Sequence, residues 1–382
     1  MTGLRGAASI VGAGTYGLGE APGLSELEIT AGAVQAALDD AGLRPADVDG
    51  VFCASMTFNM GSLTLCEYLG IAPKFSDSSM IGGSSSLAHL LTAMMAIATG
   101  QCDVALVAYG SNQRSMSGRL VSTSRPDPFE SPYGPRQPIT SYALAASRHM
   151  HEYGTTREQL AEVATAARAW AAMNPDAFLR EPLSIKDVLN SRPISDPFTV
   201  RDCCLVTDGG GAVILTSPER ARDLERPPVP VLGGAMAHWH RAITNMPDLT
   251  VTAASDSGPR AYAMAGVSVD DIDLVQVYDA FTINTIMFLE DLGFCAKGEG
   301  GAFVEDGAIA PGGRLVVNTN GGGLSCCHPG MYGIFPLIEA VRQLRGDCGE
   351  RQQSNPEIAL AHGNGGLFSS QVTLILGADG TV

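Results

Sequence analysis

The stretch VVNTNGGGLSCCHPGMYG, residues 316–333, places an apolar strand end, three consecutive glycines and a histidine-proline pair side by side. Consecutive glycines let a backbone approach a ligand or another loop closely. Pro329 is tolerated in a first helical turn, so we expect a helix to begin here with His328 at its N-terminus. Free N–H groups and the helix dipole favour developing negative charge at such a place. The stretch is a candidate site, although a glycine-rich turn beside a buried histidine would give the same pattern.

Composition excludes several classes of protein. The chain has 382 residues, 45% of them hydrophobic, which is enough for one large or two medium-sized cores. Its 40 acidic and 24 basic side chains give a net charge of −16, which disfavours nucleic acid and anionic membrane surfaces as partners on electrostatic grounds. Neither an apolar run of membrane-spanning length nor a leader-like N-terminal segment occurs, and we expect a cytoplasmic protein.

The cysteines predict neither disulfides nor a metal site. There are nine, scattered from Cys53 to Cys348, and no two are spaced as a CxxC pair. An odd, irregularly spaced set does not make a disulfide framework or a zinc site. Two pairs are adjacent in sequence, at 203–204 and 326–327, which suits neither arrangement.

The sequence contains two related halves. AGLRPADVDGVFCAS (41–55) returns as AGVSVDDIDLVQVYDAF (265–281), with a glycine, two aspartates and an apolar residue matching at one constant offset. The glycine turn, helix and strand of residues 81–110 return, in that order, in 320–346 and 356–365. Repetition of this kind dictates architecture. Each half alternates apolar strands with helices, which predicts parallel-rich sheets covered by helices.

The pattern also predicts individual elements and a boundary. An insertion at residues 111–197, rich at first in Ser, Arg and Pro, is expected to carry substrate contacts. The proline-rich joint ERPPVPV places the two halves at 1–226 and 227–382. Hydrophobic periodicity predicts strands at 8–12, 210–216, 356–363 and 370–377, and helices at 25–41 and 87–100.

With GGSSSLAHLLTAMMAIATG in the first half and YDAF, NTNGGGLSCCHPGMYG and ALAHGNGG in the second, the chain resembles the thiolase superfamily over nearly its whole length. Within that superfamily it looks most like the thiolases related to sterol carrier protein and their bacterial relatives called lipid-transfer or steroid side-chain aldolase proteins. The resemblance implies an α/β fold of five layers, α/β/α/β/α, in which two duplicated halves stack their central helices. It also implies a homodimer joined along the first-half sheet.

The resemblance exposes a departure at the thiolase nucleophile. Thiolases place a cysteine at the start of the helix in residues 81–100, and this chain has Gly83 there. The three serines that follow have no identifiable base, and helix capping is their ordinary role. Covalent acyl transfer by the usual cysteine is therefore not expected. Cys53 and Cys326 are the candidates for a displaced nucleophile, with small-residue packing as the alternative for Cys326.

A second departure lies in the segment that reads Asn-Glu-Ala-Phe in ordinary thiolases and His-Asp-Cys-Phe in the sterol-carrier type. Here it is Tyr278-Asp279-Ala280-Phe281. A phenol can donate a hydrogen bond to an oxyanion or, if its pKa is lowered, accept a proton from a substrate hydroxyl. Packing at a strand end is the alternative role for Tyr278. His328 maps onto the family's Gly-His-Pro histidine, which donates to the thioester oxygen.

Three further positions complete the candidate site. Tyr332, four residues after the histidine, would share its face of the expected helix, with packing as the alternative. In the closing motif His362 stands near the position of the acid/base cysteine of ordinary thiolases, and it is either a group titrating near neutral pH or a structural histidine. Gly365 and Gly366, together with Gly83, form the candidate oxyanion loops.

These features predict a lyase that cleaves a β-hydroxyacyl-CoA by a retro-aldol route. Tyr278 or Tyr332 would remove the hydroxyl proton, the Cα–Cβ bond would break to give a ketone or aldehyde, and His328 would hold the acyl-CoA enolate. The CoA thioester is the substrate, and neither a cofactor nor a metal is expected. A steroid-type side chain and a small OB-fold partner subunit with a zinc ribbon are implied by the resemblance alone. The alternatives are a thiolase with a displaced cysteine and a non-catalytic acyl-CoA or lipid-binding subunit.

Overall fold

A computed structural model describes residues 3–117 and 127–382. The strands in these residues are β1 (Ser9–Gly19), β2 (Gly50–Cys53), β3 (Phe75–Asp77), β4 (Val104–Ser111), β5 (Pro193–Ser195), β6 (Phe198–Thr199), β7 (Asp208–Thr216), β8 (Val229–His238), β9 (Leu274–Val277), β10 (Val316–Val317), β11 (Ile358–Gly365) and β12 (Ser370–Gly377). The four predicted strands are present as β1, β7, β11 and β12; the first two are longer than predicted, and the last two have the predicted length.

The helices divide between the repeated parts and the insertion. Those of the described residues are α1 (Glu26–Ala41), α2 (Gly61–Leu69), α3 (Ser85–Ala98), α4 (Gln113–Ser117), α5 (Ile139–Tyr153), α6 (Arg157–Ala172), α7 (Ile185–Leu189), α8 (Pro218–Ala221), α9 (Ala254–Ala265), α10 (Thr282–Asp291), α11 (Gly300–Phe303) and α12 (Ile334–Arg345). The insertion contributes α4 to α7 and β5, which pairs with β6 directly after the insertion, while part of its Ser/Arg/Pro-rich beginning lies outside the described residues.

The strand order makes the duplication visible. The first half forms the order β3-β2-β4-β7-β1 and the second half β10-β9-β11-β12-β8, so each uses its third, second, fourth, fifth and first strand in turn. In both, only the fifth strand runs against the other four. We call these five-stranded units the first and the second sheet; residues 9–10 of β1 pair with residues 229–230 of β8 and link the two into one continuous ten-stranded ladder. The boundary near residue 226, which falls between β7 and β8, stays a prediction.

The layers follow from strands that are buried on both faces. Val104 and Leu106 of β4 pack in an outer core with α1. Ala105 and Val107 face the opposite way, into the central core that contains α3 and α12. The second sheet repeats this plan, with α9 packed against its outer face at β8. The result is the expected five-layered α/β/α/β/α arrangement, with α3 and α12 in the middle layer.

Local sequence explains how the outer helices begin and pack. Ser25 caps α1 through the backbone N–H of Glu28, whose side chain returns a bond to the cap, and a left-handed Gly42 ends the helix. Gly12 in β1 lets α1 approach closely, since a Cβ there would lie 2.2 Å from the carbonyl oxygen of Ala37. No helix in the described residues is long and apolar enough to cross a membrane.

Candidate active site

The candidate residues meet where strands of the second sheet end, against the start of α3 from the first half. Tyr278 directly follows β9, and Gly365 ends its parallel neighbour β11. Open α/β sheets bind ligands at the carboxyl ends of parallel strands, where such residues converge. The backbone of Gly83 reaches this point from the other half, in a 3-10 turn that precedes α3.

The phenol of Tyr278 fills the space beside Gly83. A Cβ atom at position 83 would lie 2.3 Å from Cε2 and 2.5 Å from Oη of Tyr278, and 2.6 Å from the carbonyl oxygen of Asn364. Ordinary contacts of a Cβ atom begin at 3.4 Å, so no side chain fits at position 83 while this tyrosine keeps its place. The glycine and the tyrosine, which the sequence presents as two separate departures from thiolases, are therefore one steric arrangement.

Tyr278 and His328 are hydrogen-bonded to each other. The Tyr278 Oη atom lies 3.1 Å from His328 Nε2, and it also accepts the backbone N–H of Tyr332 at 3.1 Å. The tyrosine and histidine rings meet edge to face, with centroids 5.5 Å apart. Both side chains are buried. The structure thus brings together the two residues that the sequence analysis placed at the centre of the chemistry.

His328 does not lie at a helix N-terminus, and this prediction is wrong. Gly322–Cys326 form a single π-helical turn, and α12 begins only at Ile334. Gly330, with φ of 86°, interrupts any regular helix between the two. The backbone N–H of His328 is instead bonded to the hydroxyl of Thr207, at 2.9 Å. The helix start that we expected at His328 is therefore not present to stabilise a phenolate on Tyr278.

Burial sets the protonation states of this pair. It lowers the pKa of His328 to about 4, so the imidazole is neutral near pH 7. Burial also raises the pKa of Tyr278 well above its usual value, and the phenol keeps its proton. The lowered pKa that a tyrosine base would need is absent. The Nδ1 atom of His328 is buried and has no hydrogen-bond partner in the part of the chain that the structure describes.

Tyr332 contacts the same centre with its backbone and ring rather than with its hydroxyl. Its Oη donates to Asn320 Oδ1 at 3.0 Å, and the same oxygen accepts the N–H of Gly322 at 2.8 Å. Its ring stacks on that of His328, at a centroid separation of 6.1 Å. Because Tyr332 also precedes α12, its predicted place one helical turn after the histidine is wrong. Through Asn320, the hydroxyl of Tyr332 is linked to the glycine turn.

His362 is close in the sheet, but its side chain belongs to another network. Its Nδ1 bonds Thr373 Oγ1 at 2.9 Å and its Nε2 bonds Gln371 Oε1 at 2.9 Å, so both ring nitrogens are occupied. Burial lowers its pKa to about 4. His362 is connected to Tyr278 through the backbone, where its carbonyl oxygen accepts the N–H of Tyr278. This arrangement favours the structural alternative, and a catalytic role for His362 stays a prediction.

The glycine loops pack directly on one another. A Cβ at Gly82 would lie 2.6 Å from the nitrogen of Gly366, and one at Gly365 would lie 2.0 Å from the carbonyl oxygen of Ile81. The carbonyl of Gly366 accepts a hydrogen bond from the hydroxyl of Tyr142, at 2.9 Å. The insertion, through α5, therefore holds this loop in place, while the oxyanion role of Gly365 and Gly366 stays a prediction.

Neither alternative nucleophile is hydrogen-bonded to Tyr278 or His328 in the part of the chain that the structure describes. Cys53 packs in the outer core with α1, on the other face of the first sheet, and burial raises its pKa to about 12. Cys326 ends the π-helical turn, and its sulfur accepts a hydrogen bond from Asn174 Nδ2 at 3.6 Å. Both thiols are buried. Among the described residues no group of metal-binding side chains is present.

Asp279 is a buried acid to which the sequence analysis gave no role. Its Oδ1 accepts the N–H of Gly323 at 2.6 Å, and Oδ2 that of Leu324 at 3.4 Å. A Cβ at Gly322 would lie 1.9 Å from this carboxyl, so only glycine fits there. Burial raises the pKa of Asp279 to about 7. The signal available in the sequence was an acidic residue two positions after the end of the buried strand β9.

Two stacked repeats with this strand order, and a glycine-rich histidine loop between their central helices, define a thiolase-type α/β protein. Residues 235–378 match the family model described as thiolase C-terminal domain-like. The sequence is 36% identical over 402 residues to the steroid side-chain-cleaving aldolase of Thermomonospora curvata, which covers 99% of this chain and 100% of that protein. It is 37% identical over 365 residues to the 17-hydroxy-3-oxo-4-pregnene-20-carboxyl-CoA lyase of Mycobacterium tuberculosis, over 90% of this chain and 92% of that one.

A solved structure agrees with these relatives. The structure of an Ltp2-ChsH2(DUF35) aldolase superposes with a TM-score of 0.90 at 35% identity, and 99% of each chain is covered. The chain therefore belongs to the thiolase superfamily, in the branch that contains the sterol-carrier-type thiolases and the steroid side-chain-cleaving aldolases.

Proposed function

We propose that this chain cleaves a β-hydroxyacyl-CoA by a retro-aldol reaction. The observation that carries the proposal is the environment of Gly83. The space that a side chain would need at this position is occupied by the phenol of Tyr278, which is hydrogen-bonded to the neutral His328. A thiolase needs a thiolate at this point, since the acyl group must be carried on the enzyme. A retro-aldol enzyme needs only a proton acceptor and stabilisation of the enolate.

The hydrogen bonds supply a proton path that needs no resting phenolate. Tyr278 Oη accepts the N–H of Tyr332, and its own proton has the neutral His328 Nε2 as acceptor. One lone pair of the phenol oxygen is then left for the substrate hydroxyl. As that hydroxyl gives its proton to Tyr278, the tyrosine passes its own proton to the imidazole. This concerted transfer is compatible with the raised pKa of Tyr278.

The same transfer prepares the site for the enolate. When the substrate loses its hydroxyl proton, the Cα–Cβ bond breaks, Cβ becomes a carbonyl carbon, and the electron pair moves into the thioester as an enolate. His328 has by then become an imidazolium, whose Nδ1–H has no partner in the described protein and is free to donate to the enolate oxygen. A positive charge thus forms beside the negative one. Return of a proton to Cα gives the shorter acyl-CoA and restores the neutral histidine.

The substrate class rests on the relatives. Both are named for steroid side-chain cleavage or for a 17-hydroxy steroid acyl-CoA, and each covers at least 90% of this chain. We therefore propose a β-hydroxyacyl-CoA whose β-carbon belongs to a steroid-like ring system. The name of the similar solved structure also includes a DUF35 component. This supports our proposal that the chain works with a second subunit, as expected for the OB-fold partner. We also propose a homodimer of this chain at the centre of that assembly.

The test is product analysis with 17-hydroxy-3-oxo-4-pregnene-20-carboxyl-CoA, using this chain alone and co-expressed with a DUF35 subunit. Retro-aldol cleavage would give a 17-oxo steroid and propanoyl-CoA in equal amounts, without consumption of free CoA. Dependence on free CoA, or a stoichiometric acetyl group on a cysteine after incubation with acetyl-CoA, would support the thiolase alternative instead. Tight binding of the thioester without turnover in either preparation would support a non-catalytic binding subunit.

A further inference from the structure

A second buried phenol reaches the active-site loop from the first half of the molecule. Tyr109 lies near the end of β4 and is 1% exposed. Its Oη donates to the carbonyl oxygen of Pro329 at 2.5 Å and accepts the backbone N–H of Met331 at 3.1 Å. The next N–H along the chain, that of Tyr332, goes to the phenol of Tyr278. Two tyrosines from opposite halves therefore hold consecutive peptide groups of one loop.

This loop carries His328 at one end and Tyr332 at the other. The backbone between them has no regular secondary structure, and Gly330 turns through a left-handed conformation there. A Cβ at Gly330 would lie 3.3 Å from Tyr109 Oη and 2.8 Å from the sulfur of Met56, so the turn is pressed against the first half. Because the loop lacks helical hydrogen bonds, its position depends on the groups that hold its peptides.

We propose that Tyr109 is a positioning residue that fixes the distance between His328 Nε2 and Tyr278 Oη. The tyrosine reaches neither of those atoms through a hydrogen bond of its own. Without its hydroxyl, the N–H of Met331 and the carbonyl of Pro329 would be buried and unpaired, and the loop would shift to pair them elsewhere. Burial and the nearby Glu26 raise the pKa of Tyr109 well above its usual value, which keeps the phenol as a donor. This inference deepens the proposed function and rests on it for the catalytic consequence.

The test compares Tyr109→Phe with a matched variant, Tyr262→Phe. Tyr262 is a partly buried phenol that also donates to one carbonyl oxygen, that of Leu292 at 2.9 Å, but it lies in α9, away from the loop. We expect Tyr109→Phe to lower kcat by roughly tenfold with KM within twofold, since misplacing a catalytic group by a fraction of an ångström is costly. Tyr262→Phe should keep kcat, although it also loses the hydrogen bond that its phenol makes to a backbone carbonyl.

A second readout does not depend on turnover. In protein labelled with ¹⁵N-histidine, the Nε2 resonance of His328, assigned with a His328→Asn variant, reports its bond to Tyr278. It should move in Tyr109→Phe and stay in place in Tyr262→Phe. Gly330→Ala, which pushes the loop away from Tyr109, should move it in the same way. An unchanged His328 resonance in Tyr109→Phe, or equal effects of both tyrosine substitutions, would overturn the proposal. A shifted resonance in a chain that shows no retro-aldol activity would keep the positioning role and reject the proposed function.

Discussion

Gly83→Ala adds one methyl group at the point where the two halves of the site meet. The new Cβ would be 2.3 Å from Tyr278 Cε2, at least 1.1 Å closer than an ordinary contact, and 2.6 Å from a backbone oxygen that has little freedom to move. The tyrosine ring must therefore move by about 1 Å, which breaks its 3.1 Å bond to His328 Nε2. Misplacement of this size costs about 10²-fold in turnover, and overpacking costs about 1–3 kcal/mol of stability.

The assay measures kcat for retro-aldol cleavage together with thermal or denaturant unfolding. The matched background is Tyr278→Ala, in which the ring that clashes has been removed. Gly83→Ala should cost less stability in that background than in the wild type, although the contact with the Asn364 carbonyl persists. In a double-mutant cycle the two sites should couple by about 1–3 kcal/mol. Wild-type turnover in Gly83→Ala, or additive effects in the cycle, would refute the steric argument on which the proposed function rests.

Four further predictions concern His328, Tyr278, Tyr332 and His362. His328→Ala should lower turnover by roughly 10²–10³-fold, as does loss of one oxyanion donor, with circular dichroism showing an intact fold; turnover at the wild-type level in a folded variant would remove the histidine from the mechanism. Tyr278→Phe should cost roughly 10²–10⁴-fold in kcat because it interrupts the proton path. Tyr332→Phe, measured in parallel, should cost less than tenfold, since its hydroxyl is bonded to Asn320; the reverse order would make Tyr332 the proton acceptor. Acid should destabilise the protein through His362, because burial lowers the pKa of this histidine from 6.5 to about 4. Between these two pH values the unfolded chain binds a proton that the folded chain does not. The free energy of unfolding should therefore decrease as the pH falls from 6.5 to 4, by up to about 3 kcal/mol. Urea unfolding of His362→Gln across that range should show a correspondingly flatter profile, and an equally steep one would contradict the assignment.

The change at the nucleophile position follows a simple steric rule. A thiolase site that loses its cysteine to glycine gains an empty volume, and here that volume is filled by a side chain from the other half of the molecule. The phenol brings a hydroxyl to within bonding distance of the histidine. In the proposed mechanism, one pair of residues, Gly83 and Tyr278, thereby replaces the acyl carrier with a proton acceptor. This is why the two departures are best understood together.

Much of the fold could be predicted because its signals are local or repeated. The capping box at Ser25 and the left-handed glycine after α1 fix the ends of that helix through neighbours in sequence. The repeated sequence segments predicted that the two halves share one topology, and the strand orders of the two halves are the same. Continuous apolar strands indicated burial on both faces, which the alternation along β4 confirms.

The loop around His328 could not be predicted in this way. Three glycines and a proline are compatible with a helix start, and the local pattern favoured one. In the folded chain the N–H groups of Met331 and Tyr332 are taken by the phenols of Tyr109 and Tyr278, which are far away in sequence. Those tertiary bonds replace the helical ones and delay α12 to Ile334. Propensity is a weak prior where long-range partners compete for the backbone.

The sequence by itself determined the duplicated α/β architecture, the missing cysteine at position 83 and the identity of the groups available for chemistry. These depend on residue type, on spacing and on hydrogen bonds between near neighbours. Only the tertiary structure decided that Tyr278 occupies the space beside Gly83, that the hydroxyl of Tyr332 is bonded to Asn320, and that both nitrogens of His362 are taken. It also decided the protonation of the site, because the pKa of a buried group is set by its distance from water and by partners that the folded chain brings from far along the sequence.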